Sequence, residues 1–393
     1  MEYDLLVVGA GIFGLTVAER MASELSKNVL VIDKRDHIGG NCYSEFDEET
    51  GIECHKYGAH LFHTSNEQVW EYVNRFTDFT HYAHKVYITH KGEVFSMPIN
   101  LGTINQFYHQ AMTPDEAKEL IRDEAGKYAN IEPKNLVEQG IKLIGRPLFE
   151  AFIMNYTAKQ WQTSAEDLSP EIITRLPVRY NYNNHYFSNT YEGLPVDGYG
   201  KLLQSMIDAG NLGAGSVEVR LKTDYFTDKA IQKLRNNKTM TIFTGPIDRF
   251  YDYKFGELRW RSLDFKKEVV KTTDFQGCPV MNYADQEPKY TRIHEFKHFH
   301  PERWDDPKYP GYATDKTVIV REFSKTWRRG DEPYYPVNTV EDQKKLAKYR
   351  ELVSKEKNIV FGGRLGEYAY YDMDKTFASA LELFDNLKSS RTT

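Results

Sequence analysis

The stretch from Tyr3 to Gly40 constrains this chain more than any other. A short apolar run, Leu5-Leu6-Val7-Val8, turns through Gly9-Ala10-Gly11-Ile12-Phe13-Gly14. Leu15, Ala18, Met21, Ala22 and Leu25 then recur at spacings of three and four, the period of a helix with one buried face. A second apolar run, Val29-Leu30-Val31-Ile32, ends on Asp33. Strand, glycine turn, helix, strand and acid are the context in which G-x-G-x-x-G predicts a dinucleotide site. Gly9 makes the tight turn, Gly11 lets backbone approach a pyrophosphate, and Gly14 lets the helix pack on the strand. The helix N-terminus offers free N–H groups and a partial positive charge to phosphates. Asp33 stands where a carboxylate accepts from ribose hydroxyls. The bland alternative is a tight βα turn with incidental glycines.

The residues that follow, Lys34-Arg35-Asp36-His37-Ile38-Gly39-Gly40-Asn41, narrow the choice of dinucleotide. An R-D-x-x-G-G run after the ribose acid resembles the second fingerprint of glutathione-reductase-like FAD proteins, against an ordinary polar turn. FAD is expected rather than NAD. The nearest candidate for another fingerprint, Gly210-Asn211-Leu212-Gly213-Ala214-Gly215, follows a helical pattern instead of a strand. No separate NAD(P)H domain is expected.

Composition excludes several classes. At 393 residues the chain can bury a large core in two or three units. Hydrophobic content of 40% and charged content of 27% are those of a soluble globular protein. No apolar run reaches membrane-spanning length. The chain enters its first strand almost at once, leaving no room for a signal peptide. Cys42, Cys54 and Cys278 show no C-x-x-C spacing, which predicts a reducing, cytoplasmic setting and no disulfide or zinc framework. A net charge of −6 argues against nucleic acid, so an anionic ligand must be held by local arginines. The 27 Tyr and 22 Phe suit a site that stacks rings and bonds hydroxyls, although core and surface account for most of them. In Tyr57-Gly58-Ala59-His60-Leu61-Phe62-His63-Thr64 the two histidines are three apart with no acidic third ligand nearby. No metal is expected there, and one histidine is expected to face the flavin.

Lys85 to Met97 reads as a hairpin about His90-Lys91-Gly92-Glu93. From Asn100 to about Leu176 the patterns are helical. Thr113-Pro114-Asp115-Glu116 is a capping box, one helix runs from Pro133 to Gly145, another from Arg146 to Trp161, and Ser169-Pro170-Glu171 starts a short one. Met240 to Thr244 reads as a return strand to the first sheet, and Leu258 to Phe323 as short alternating strands interrupted by a loop from Pro301 to Tyr312. A helix from Val340 to Glu356, the run Ile359-Val360-Phe361, Gly362-Gly363-Arg364, and a last helix after Asp372-Met373-Asp374 close the chain. The predicted fold class is α/β. A Rossmann-like FAD-binding domain (1–82, 196–258 and 340–393) carries an inserted helical domain (100–176) and an inserted, mostly antiparallel sheet domain (83–99, 177–195 and 259–339).

Several blocks then match one family. Gly39-Gly40-Asn41, Met97-Pro98-Ile99-Asn100-Leu101, Asn155-Tyr156-Thr157-x-Lys159-Gln160-Trp161 and Arg175-Leu176-Pro177-Val178-Arg179 are joined by Gln276-Gly277-Cys278-x-Val280-Met281-Asn282-Tyr283, Tyr290-Thr291-Arg292 and Pro333-Tyr334-Tyr335-Pro336. With the His60–Thr64 block and Gly363-Arg364-Leu365-Gly366, they resemble the prokaryotic UDP-galactopyranose mutases over nearly the whole chain. The stretch from Phe299 to Lys316 is longer than the resemblance leads one to expect.

The resemblance implies an FAD enzyme, active when reduced and fed by an external reductant, that interconverts UDP-galactopyranose and UDP-galactofuranose. It implies covalent catalysis through a reduced-flavin N5–galactose iminium with no net redox change, a homodimer, and a supply of galactofuranose to cell-surface glycans. It places Arg175 and Arg292 on the diphosphate, with His60 and His63 also catalytic. Phe152, Tyr156, Thr157 and Trp161 fall in the uridine-binding segment, and Tyr186, Asn282, Tyr335, Tyr370 and Asp372 around phosphates and sugar. The Tyr334-Tyr335 doublet leaves the phosphate contact between two neighbours. Cofactor contacts fall on Gly9, Gly11, Phe13, Gly14, Asp33, Lys34, Gly40 and Asn41, and further along on His60, Leu61, Gly363, Arg364, Tyr370, Asp372 and Met373. Read without the resemblance, each arginine is a solvated charge, and Tyr156 and Trp161 are as readily core residues at helical spacing as stacking ones. A flavin oxidase and a non-catalytic flavin sensor share the N-terminal fingerprint.

Overall fold

A computed structural model describes residues 2–174, 178–236 and 239–390. The Tyr3–Gly40 stretch folds as a βαβ unit: strand β1 (Leu5–Val8), helix α1 (Ile12–Leu25) and strand β2 (Asn28–Ile32). β1 is the middle of a five-stranded parallel sheet, between β2 and Met240–Phe243. Ser216–Arg220 lies outside β2 and Ile359–Phe361 outside Met240–Phe243. The order therefore reverses at β1, which puts a crevice at the carboxyl ends of β1 and β2. The continuous apolar character of these strands follows from cover on both faces. Helix α1 is buried along most of its length, between the helices Gly198–Gly210 and Met373–Ser389.

The second sheet has seven strands. From one edge they are Tyr335–Pro336, Trp260–Val270, Thr317–Thr326, Arg292–Glu295, Val280–Tyr283, Val86–His90 and Glu93–Met97. All pairings are antiparallel except Val280–Tyr283 with Val86–His90. The expected hairpin forms with Lys91 (φ 49°) and Gly92 (φ 84°) as its two turn residues, both in the left-handed region that such turns need. Trp260–Val270 and Thr317–Thr326 are longer than the short strands expected, because ten residue pairs zip them together in register.

The helical block departs from expectation at two places. The helix expected from Pro133 starts at Leu136, since Asn135 caps it by accepting from Glu138 N–H at 2.9 Å. The helix expected from Arg146 to Trp161 is α over Arg146–Leu148, π over Phe149–Met154, and α again over Asn155–Trp161. Phe149 packs where a Cβ on Gly140 would lie 2.2 Å from its ring. Lys159 clamps this block to the sheet: its ammonium donates to the carbonyls of Tyr283 (2.7 Å), Pro288 (3.0 Å) and Tyr290 (3.3 Å).

The long stretch after Phe299 folds as short 3-10 turns, Pro301–Arg303 and Pro310–Ala313, around a buried arginine. Arg303 Nη1 lies 2.7 Å from Glu53 Oε2, Nη2 donates to Val196 O at 2.7 Å, and the guanidinium stacks 4.4 Å from the Tyr309 ring centre. No helix among the described residues is long and apolar enough to cross a membrane.

Candidate active site

The crevice at the ends of β1 and β2 opens into a cavity of about 810 Å³. At its floor the two glycine fingerprints meet. Gly11 bridges Gly39, and Gly39 N–H donates to Ala10 O at 2.7 Å. Gly9 turns with φ 111°, and a Cβ there would lie 2.0 Å from Thr244 Oγ1. Gly14 is equally required, since its Cβ would meet Gly9 O at 2.0 Å. Gly11 differs: its φ is −82°, and a Cβ would meet no protein atom nearer than Gly40 Cα at 3.9 Å. Packing does not demand that glycine; the space above it lies in the cavity.

Asp33 is tied to the turn. Its Oδ2 accepts from Ala10 N–H and its Oδ1 from Arg35 N–H, both at 2.9 Å. Lys34 lies 3.3 Å from Glu332, on the cavity wall. Arg35, to which no role was assigned from sequence, reaches under the glycines. It bonds Glu332 at 2.7 Å and Asn41 at 2.8 Å, and stacks 4.5 Å from the Tyr57 ring centre. Its Nη1 is buried without a hydrogen-bond partner. An orphaned guanidinium N–H beside an open glycine cradle fits a pyrophosphate.

The cavity continues between the last helices and the second sheet. Phe13 packs on Gly362 and Gly363, where a Cβ on Gly362 would lie 2.2 Å from its ring. Arg364 donates to the carbonyls of Pro333 and Tyr334. No carboxylate among the described residues pairs with it, and burial lowers its guanidinium below the usual value. A half-buried cation without a carboxylate partner on a cavity wall also fits an electron-rich ligand. Asp372, Met373 and Thr376 bring the start of Met373–Ser389 to the same wall, and Asp372 makes no cap bond to that helix.

His60 Nδ1 lies 2.8 Å from Gly58 O, and burial lowers the ring to about 4. The ring is therefore neutral at pH 7, Nδ1 carries the hydrogen, and Nε2 is left as an acceptor. His60 N–H in turn donates to His55 Nδ1 at 3.0 Å. His63 stacks on Phe187 (3.7 Å between ring centres) and meets Asn189 Oδ1 at 3.0 Å.

At the far end stand Arg292, Tyr186, Tyr335 and Tyr370. Tyr335 and Tyr370 stack at 5.6 Å. Arg292 Nη2 donates to the Tyr156 hydroxyl at 2.6 Å, and Nε lies 3.3 Å from Glu322 Oε1. Burial works against the Arg292 charge, Glu322 together with Tyr156, Tyr335 and Tyr186 outweighs it, and the net shift is upward. Burial holds the Tyr156 hydroxyl up at about 12, so it remains a neutral partner.

The structure thus brings Gly9, Gly11, Phe13, Asp33, Lys34, Gly40, Asn41, His60, Leu61 and His63 to one cavity with Tyr186, Arg292, Tyr335, Gly363, Arg364, Tyr370, Asp372 and Met373. Tyr334 lines it too, so the doublet is not resolved by position. Gly14 packs beneath it. Asn282 stands across from Arg292 in register, its Oδ1 buried without a partner. Phe152 is elsewhere, fully buried against Phe95 of the hairpin and Phe107 of the helical block. Thr157 is buried and Trp161 packs on the core, neither on the cavity wall. Arg175 lies outside the described residues. Arg35, His294 and Glu322 line the cavity and were missed as site residues. The R-D-x-x-G-G run held the signal for Arg35, whereas strand pairing alone reveals the other two.

A glycine cradle fit for a pyrophosphate, continuous with a pocket that reaches the half-buried Arg292, defines a Rossmann-like dinucleotide enzyme. Comparison with known proteins narrows this. The family model for UDP-galactopyranose mutase matches residues 151–370, and that for an NAD(P)-binding Rossmann-like domain matches residues 7–76. A probable UDP-galactopyranose mutase of Klebsiella pneumoniae is 40% identical over 387 residues, covering 98% of this chain and 95% of its own. A dTDP-fucopyranose mutase of Escherichia coli is also 40% identical, over 380 residues and 96% of each chain. A crystal structure of reduced UDP-galactopyranose mutase superimposes with a TM-score of 0.73 at 16% identity, covering 100% of this chain and 95% of that one, a likeness of fold. The chain belongs to the UDP-galactopyranose mutase family, and so to the isomerases.

Proposed function

We propose that this enzyme is a UDP-galactopyranose mutase that interconverts UDP-galactopyranose and UDP-galactofuranose with FAD. The observation that carries the reading is the single cavity joining the Gly9–Gly14 cradle to Arg292. When bound in reduced form, the flavin supplies a nucleophilic N5 toward the anomeric carbon, with no net change of redox state. The protein's part is to seat both ligands and keep the displaced UDP. Gly11, Gly40, Arg35 and the first turn of α1 would hold the FAD pyrophosphate, and Arg364 would supply positive charge to the reduced flavin.

Arg292 holds the diphosphate, with Arg175 as its partner. A desolvated guanidinium offers charge and a fork of donors, and so stabilises the leaving group and retains it for recapture. Tyr156 orients Arg292 on the uridine side, and Thr157, Trp161 and Phe152 support it from behind the cavity wall. Tyr186, Tyr335, Tyr370, Asn282 and Asp372 surround phosphates and sugar. Neutral His60 accepts a hydrogen bond at Nε2, and His63 closes the wall beside Phe187. The enzyme works as a homodimer fed by an external reductant, and supplies galactofuranose to cell-surface glycans.

The equal identity to a dTDP-fucopyranose mutase favours a second reading, the same ring contraction on dTDP-fucose. Both are tested by incubating the dithionite-reduced protein separately with UDP-galactofuranose and dTDP-fucofuranose and separating the products. Conversion of the uridine substrate at the higher kcat/KM is expected. Preference for the dTDP sugar would reassign the substrate, and conversion of neither would overturn the function.

A further inference from the structure

The strands Arg292–Glu295 and Thr317–Thr326 place Glu322 directly opposite Arg292. His294, two residues beyond Arg292, projects from the same sheet face. Its Nε2 lies 3.1 Å from Glu322 Oε2, while Glu322 Oε1 lies 3.3 Å from Arg292 Nε and 3.4 Å from the Thr291 hydroxyl. Arg292, His294 and Glu322 all line the cavity. An ionised carboxylate only accepts, so the hydrogen in the His294–Glu322 contact sits on Nε2. His294 Nδ1 is buried and makes no hydrogen bond among the described residues.

Packing does not ask for a histidine here. The cross-strand neighbours of His294 are Val280 and Val320, beside which a β-branched apolar side chain would leave no bare polar atom. What the histidine adds is one N–H on one oxygen of Glu322. Without it both carboxylate oxygens can turn to the Arg292 fork, the bidentate pairing that guanidinium and carboxylate prefer. Donors engaged by Glu322 are then withdrawn from an anionic ligand.

Building on the function proposed above, we propose that His294 is a positioning residue. It occupies one oxygen of Glu322, confines that carboxylate to the Nε side of Arg292, and thereby leaves the outer guanidinium donors that Tyr156 does not take to a nucleoside diphosphate.

The test is calorimetric titration of the FAD-loaded protein with UDP, which needs no turnover. His294→Leu should weaken UDP binding about tenfold, the scale of a lost hydrogen bond to a charged group. His294→Gln, whose amide reaches Glu322, should stay within about threefold of wild type. In a Glu322→Gln background, His294→Leu should change the affinity less than about twofold, because the two residues act as one unit. Unchanged flavin absorbance and melting temperature check the fold. If His294→Leu does not fold, His294→Asn, too short to reach, should show the same loss against His294→Gln. Equal UDP affinity of wild type and His294→Leu would overturn the inference while leaving the function standing. So would an equal loss in both backgrounds, or a Gln variant as weak as Leu. Failure of the wild-type protein to bind UDP would overturn the functional reading and the inference with it.

Discussion

Gly9 and Gly11 belong to one motif but answer to different forces. Gly9 is held by the protein, with a left-handed φ and Thr244 against it. Gly11 has an ordinary φ and open space. Gly11→Val should therefore fold and melt like the apo wild-type protein, yet fail to bind FAD. Absorbance after reconstitution and a melting curve check this; a yellow Gly11→Val protein with normal FAD affinity would contradict it. Arg292 is a cation whose fixed partners are one carboxylate and one phenol. Removing one member of a desolvated charged pair costs about 2–5 kcal/mol. Arg292→Ala should lower kcat/KM roughly thirty- to several-thousand-fold, with the flavin spectrum little changed. Activity within about twofold of wild type would move the diphosphate elsewhere.

At the scale of elements, the helix Asn155–Trp161 carries Tyr156 to Arg292, and Lys159 one turn later fixes the helix to the loop before that strand. Lys159→Met leaves three carbonyls without their donor. It should cost about 1–3 kcal/mol of stability and raise KM for the nucleotide sugar several-fold at unchanged FAD content. Urea unfolding and steady-state kinetics measure both, and an unmoved KM would show that the clamp is only structural. What sequence made legible here was local. The glycine turn, the Thr113 capping box and the Lys91-Gly92 hairpin each depend on residues within a few positions of one another. The Leu136 start hinged on Asn135, a competing cap two residues after a proline that also suited a helix start. The His294–Glu322–Arg292 contacts could not be read in advance, because they arise from register between strands far apart in the chain. The same holds for the packing of Phe152 on Phe95, a residue of the hairpin far from it in the chain.

At the scale of the whole molecule, segments far apart in the chain are joined by buried ties. Arg303 is one of them, joining the stretch after Phe299 to Glu53 and Val196 with both charges about fully buried (1% and 2% exposed). Arg303→Ala should destabilise the protein by about 3–5 kcal/mol, since Glu53 would be left charged in the interior. Arg303→Met combined with Glu53→Gln should recover most of that loss in the same melting experiment. The function proposed for the assembled cavity requires a flavin that acts only when reduced and is not consumed. Anaerobic protein reduced once with dithionite, freed of excess reductant and given UDP-galactofuranose, should convert many equivalents per flavin. It should stop on exposure to air and resume after a second reduction. One equivalent or fewer per reduction, or an equal rate with oxidised flavin, would contradict the account.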